Sequence, residues 1–162
     1  MKKLATFSLA FVLTFPANAA PGIRETFAYI VDQCEDSSFK MDGALVTKES
    51  MTLDETRFNV QKKWQNPSPN NTIDTAGYAL DIRRVSFSIT PSQSHYPEAV
   101  SLTCADSCIS AWTVVDVHGK AKKYNSKQTR LDLICHQNDR VLNAFRHLQT
   151  LLGGPIDDPF AN

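Results

Sequence analysis

Four cysteines and four histidines carry most of the chemical potential of this chain: Cys34, Cys104, Cys108 and Cys135, with His95, His118, His136 and His147. Cys104 and Cys108 stand closest together, in the stretch LTCADSCISAW. A zinc site would suit that spacing, since zinc ligands commonly pair across roughly two to four residues. Cys135 and His136 would then have to complete the set. Adjacent residues on a strand point to opposite faces, so both cannot turn to one ion. No metal site is expected. A dithiol exchanger usually separates its cysteines by about two residues at a helix N-terminus, which lowers the thiol pKa. Cys104 and Cys108 fall between two predicted strands instead. The chemistry left is oxidation to disulfides.

Four cysteines allow three pairings. Cysteines that flank a short hairpin loop can face one another across the ladder, with Cα atoms about 4.5 Å apart, at the short end of disulfide geometry. This favours Cys104–Cys108 and leaves Cys34–Cys135 to tie the first helix to the last strand. Spacing alone leaves the other two pairings open. The residues enclosed by the small loop, Ala105, Asp106 and Ser107, become candidate binding residues at a hairpin tip.

Catalytic patterns are missing from the sequence. It holds no Gly-x-Ser-x-Gly elbow, no His-Glu-x-x-His and no glycine loop that would cradle phosphate. Neither a catalytic residue nor a cofactor is expected. A hydrolase-type alternative would need His95 or His136 in a pocket with a carboxylate. The basic cluster Lys120, Lys122, Lys123, Lys127 and Arg130 follows a predicted turn at His118-Gly119. It reads as a solvated hairpin edge, where lysines hinder pairing with other strands.

The N-terminus sets the compartment. Lys2 and Lys3 precede the apolar run Leu4 to Phe15, and Ala17-Asn18-Ala19 supplies small residues for signal peptidase. Residues 1–19 are expected to be a bacterial-type signal peptide, making the protein periplasmic or secreted. Such a compartment favours disulfides. No later apolar run approaches the roughly 18 residues needed to span a membrane. The chain has 17 basic and 17 acidic residues. Loss of Lys2 and Lys3 leaves the mature chain slightly acidic, without the basic field that gathers nucleic acid.

These groups need a scaffold. Ile23, Phe27, Ile30, Val31 and Cys34 share one helical face, predicting a helix over Gly22–Asp36. From Phe39 to Cys135 the apolar period becomes two. Phe39, Met41 and Leu45 suggest a strand interrupted at Asp42-Gly43, and Thr56–Trp64 a half-buried strand. The series Tyr78, Leu80, Ile82 and the series Val85, Phe87, Ile89 change phase at Arg83-Arg84, which predicts a bulge or short turn. Further strands are expected around Val100–Cys104, Ile109–Val117 and Thr129–Cys135. Asn138 is the expected N-cap of a last helix through Val141, Leu142, Phe145, Leu148, Leu151 and Leu152, stopped by Gly153-Gly154. The fold class is α+β: an N-terminal helix, a strongly bent antiparallel sheet of about six or seven strands, and an amphipathic C-terminal helix. Residues 20–162 form one disulfide-stapled domain.

That order resembles the PH-like barrel layout, which implies an open or closed bent sheet plugged by the last helix. The closing segment VLNAFRHLQTLLGGPIDDPF resembles that of small exported bacterial proteins of unassigned function. TCADSCISAW resembles the cysteine-closed protruding loop of periplasmic inhibitors of vertebrate-type lysozyme. In that family the loop carries a histidine that enters the lysozyme cleft; here Ala105, Asp106 and Ser107 take its place. The functional expectation is an exported, non-catalytic binding or inhibitory module whose partner is another exported or periplasmic protein. A periplasmic hydrolase or a cell-envelope assembly component are the alternatives.

Overall fold

The apolar spacing at the start of the chain forms helix α1 (Ile23–Cys34). Thr26, Ile30 and Cys34 are its buried residues, one per turn, whereas Ile23 stays exposed at the end. The computed structural model describes residues 20–35, 39–41, 44–65, 72–93, 97–117 and 120–155. The expected signal peptide, His95, His118 and residues 156–162 lie outside them.

Among the described residues nine strands follow: β1 (Phe39–Met41), β2 (Ala44–Asp54), β3 (Arg57–Gln65), β4 (Thr72–Asp81), β5 (Ser86–Thr90), β6 (Ala99–Thr103), β7 (Ile109–Val117), β8 (Lys120–Gln128) and β9 (Arg130–Leu133). Helix α2 (Asn138–Leu151) ends the series. All strand pairs are antiparallel, with order β1-β2-β3-β4-β7-β8 in a six-stranded sheet and β5-β6-β9 in a three-stranded one. The expected interrupted first strand is thus two strands, β1 doubling back on β2 with Met41 opposite Ala44.

The two sheets are halves of one bent meander. β4 runs on into β5, β6 into β7, and β8 into β9. Registers on the two sides agree: Ala79↔Ser110 on one side of the bend, Ser86↔Thr103 on the other. Likewise Ile109↔Gln128 is followed by Thr103↔Arg130. Three strands therefore turn the same corner, and the β2–β3 hairpin ends at it, where the Ile82 amide donates to the Thr56 carbonyl at 3.0 Å. The fold class is α+β as the sequence implied. Strand count is higher than expected because the first strand is two, β1 and β2, and the lysine-rich stretch Lys120–Gln128, not among the expected strands, forms β8. Among the described residues the sheet does not close into a barrel.

Helices fill the concave side. Phe145 of α2 stacks on Phe87 of β5, with centroids 5.4 Å apart, and meets Phe58 of β3 edge-on at 5.7 Å. Phe27 of α1 makes a second T-shaped contact with Phe58, centroids 6.3 Å apart. Ile30, Leu102, Ile109, Leu133, Val141 and Leu148, none of them exposed to solvent, complete the core. Burial of each such side chain stabilises the fold by about 1.5–3 kcal/mol before conformational entropy is counted.

The last helix begins one residue earlier than its apolar pattern suggested. Gln137, in left-handed backbone (φ 52), is the N-cap, and its carbonyl accepts from the amides of Arg140 and Val141. Asn138 is thereby already helical, and its side-chain amide turns outward to donate to Glu98 Oε1 at 2.9 Å. The stop is as expected. Gly153 takes φ 75, a conformation that favours glycine, and the Gly154 amide donates to the Gln149 carbonyl.

Candidate functional site at the stapled corner

Each strand rounds the corner by a different device. Between β4 and β5 the chain makes a short 3-10 turn, Ile82–Arg84. Asp81 accepts from the Arg83 amide and guanidinium, and that side-chain hydrogen bond holds its carboxyl below the usual range. Gln149 of α2, almost fully buried, donates from one amide nitrogen to the carbonyls of Ile82 (2.9 Å) and Val85 (2.8 Å). The phase change at Arg83-Arg84 is this turn.

Between β8 and β9 the corner takes a single residue, Thr129. Its carbonyl accepts from the Cys104 amide at 2.8 Å, which continues the ladder through the bend. The facing connection, between β6 and β7, spends Cys104, Ala105, Asp106, Ser107 and Cys108 on the same step. A disulfide joins Cys104 to Cys108, with Cα atoms 6.1 Å apart. The expected hairpin tip is therefore corrected. β6 does not pair with β7; it pairs with β5 and β9, while β7 pairs with β4 and β8. The stapled stretch is a bulge pushed out of a long bent strand, because the two cysteines follow one another along that strand and do not oppose each other across a ladder.

Ala105 and Asp106 are exposed on this bulge, and Ser107 is half-buried. Ser107 has φ 51, left-handed backbone that costs a non-glycine residue about 1–2 kcal/mol. Strain of this sort needs surroundings that hold it, and here the staple closes the loop one residue later. Below the bulge, Lys127 donates to Ser110 Oγ at 2.8 Å, and Arg130 is bound to Asp132 and Thr90.

No family model, curated protein or solved structure matches this chain.

The second disulfide, Cys34–Cys135, joins the end of α1 to the segment between β9 and α2. The His136 amide donates to the Gln33 carbonyl beside it at 2.8 Å. All four cysteines are thus paired as the spacing favoured, and none is free. Among the described residues no three histidines, cysteines or carboxylates gather as metal ligands would. No helix among them is long and apolar enough to cross a membrane.

Sequence reading missed two features. The first is a buried ion pair: Lys62 Nζ lies 3.0 Å from Glu49 Oε1, with both side chains almost wholly enclosed. Lys62 also donates to the Asp132 carbonyl of β9 at 2.9 Å, so it bridges the two halves of the sheet. Burial pushes the Glu49 carboxyl up, Lys62 opposes this, and Glu35 adds to it. Burial and the Glu49 charge together raise Tyr78. The signal was present, since Lys62 shares the alternation of Phe58 and Val60. The second feature is a groove of about 450 Å³ between the helices, lined by Pro21, Glu25, Thr26, Tyr29, Ala144 and His147. His147 Nε2 lies 2.9 Å from the Pro21 carbonyl there, at the rim of the core.

Proposed function

We propose that this protein is an exported, non-catalytic binding or inhibitory module that meets another exported protein through Ala105, Asp106 and Ser107. One observation carries the reading. The corner needs a single residue on the facing strand, Thr129, yet this strand inserts a disulfide-closed loop at the same place. The sheet's hydrogen bonding does not require that insertion. A pre-closed loop loses little conformational entropy on binding, which is what a rigid contact surface needs. Two disulfides fit an oxidising compartment, and the signal-like N-terminus supports export.

Purified mature protein, immobilised and exposed to a panel of cell-envelope hydrolases, tests the proposal. At least one enzyme is expected to bind or slow, and a variant with Ala105→Arg and Asp106→Lys is expected to lose that effect at least tenfold. Binding equal in the variant, or no response from any enzyme, overturns it.

A further inference from the structure

We infer that the open edge of β8 is a docking site for an acidic, extended protein segment, which adds there as a further strand. β8 ends the six-stranded sheet, and β7 is its only partner among the described residues. Its residues Lys120 to Lys127 are all exposed. In an antiparallel edge strand, alternate residues turn their N–H and C=O groups away from the neighbour. Those groups are what strand addition uses, main-chain bonds giving affinity and alternate side chains giving choice of partner.

Charge selects the partner. Four of the strand's nine residues are lysines: Lys120, Lys122, Lys123 and Lys127. Their register partners on β7 are Val117, Val115, Val114 and Ser110, none of them acidic. The ion pairs formed among the described residues lie elsewhere, at Lys62–Glu49, Arg83–Asp81 and Arg130–Asp132. Against these four lysines β7 supplies one acidic residue, Asp116 opposite Ala121, so positive charge is in local surplus along this edge.

The lysines flank the edge from both faces of the sheet. Lys120, Lys122 and the exposed Tyr124 share the side of Ile109 and Ala111. Lys123 and Lys127 take the other side, where the Lys123 ammonium lies 4.9 Å from the Trp112 ring centre. A strand laid alongside would put its alternate side chains about 5 Å from each set, so carboxylates on either face find a lysine. The site stands apart from the bulge at Ala105–Ser107 and does not rest on it. Lysines that only guard the edge against pairing would give the opposite result: no acidic strand would bind, and their removal would cause self-association.

The test uses the full chain and a ten-residue peptide of alternating Glu and Thr. Comparison probes are the same peptide with alternate backbone nitrogens methylated, a single-stranded DNA oligomer, and phosphatidylglycerol vesicles. Tryptophan fluorescence and amide exchange report binding. The plain peptide is expected to bind and to slow exchange along β8. Its affinity is expected to fall at least tenfold on methylation and at least tenfold in the Lys122→Gln, Lys123→Gln variant, whose thermal melt confirms folding. The Ala105→Arg, Asp106→Lys variant is expected to bind the peptide as the native chain does. The inference is overturned if the peptide fails to bind, if the methylated peptide binds equally, if DNA or vesicles bind more tightly, or if the folded lysine variant binds unchanged.

Discussion

The Cys104 amide donates to the Thr129 carbonyl at 2.8 Å, and around that bond one strand turns the corner in a single residue while its neighbour loops out. The corner that this bond crosses organises the fold. It splits three long strands, ends the β2–β3 hairpin, seats Gln149 and presents Ala105 and Asp106.

The two disulfides contribute differently. Cys34–Cys135 spans 101 residues of sequence, and in the chain-entropy model its loss costs about 4–5 kcal/mol. Cys104–Cys108 spans 4, and the same model gives about 2 kcal/mol. Urea unfolding of the two double Cys→Ser variants is expected to rank them in that order. The reverse ranking would mean that the bulge, and not the helix-to-strand tether, holds the fold.

Gln149 satisfies two carbonyls at the first corner, Ile82 and Val85. Gln149→Leu keeps the apolar contact but leaves both without a donor, at about 1–3 kcal/mol for each buried group. A lower unfolding midpoint is expected, with faster amide exchange at the Ile82–Arg84 turn. Unchanged stability would show that water reaches these carbonyls.

Trp112 lies over Gly77, its register partner on β4, so a methyl group at Gly77 would overlap the indole. Gly77→Ala is expected to cost about 1–3 kcal/mol, as overpacking does. Adding Trp112→Val should recover most of that loss. A double-mutant cycle measures the coupling, and additive effects would refute the contact.

Glu49 gives stability a pH dependence of known sign. Its carboxyl is raised in the folded state, chiefly by burial, so the native protein keeps a proton that the unfolded chain releases. That contribution is complete below the ordinary glutamate pKa of about 4.3 and is lost as pH rises through the raised native value. The stability of the native chain relative to Glu49→Gln should therefore fall as pH increases above about 4. Urea melts at a series of pH values check this, and a difference that grows with pH would contradict it.

The ion pair itself is expected to specify more than it stabilises. Removing only Glu49 leaves Lys62 buried without its partner charge, at about 3–5 kcal/mol. Replacing both, with Glu49→Leu and Lys62→Met, should be neutral or stabilising by about 1–4 kcal/mol. Calorimetric melts of the single and double variants distinguish these outcomes. A double variant no more stable than the single would mean that Lys62 is needed for its bond to the Asp132 carbonyl.

Much of this architecture follows from local sequence. Alternation at Phe58, Val60, Leu80, Phe87, Leu102, Leu131 and Leu133 determines which strand faces are buried, because a pleated strand has a fixed period of two. Helical spacing around Ile30 and Phe145 determines the helices, and Gly153 the stop of the last one. The cysteine pairing that spacing favoured, without excluding the other two, matches the structure. The nature of the corner does not follow. Strand periodicity says which face is buried but not which strand lies beside which, so Cys104 and Cys108 looked like two sides of a hairpin. Only long-range pairing, with β6 against β9 and β7 against β8, makes them successive points on one bent strand. The same holds for Lys62 and Glu49. Each is a charged residue in an apolar alternation, and only the register that sets them directly opposite on neighbouring strands supplies the partner that lets both be buried.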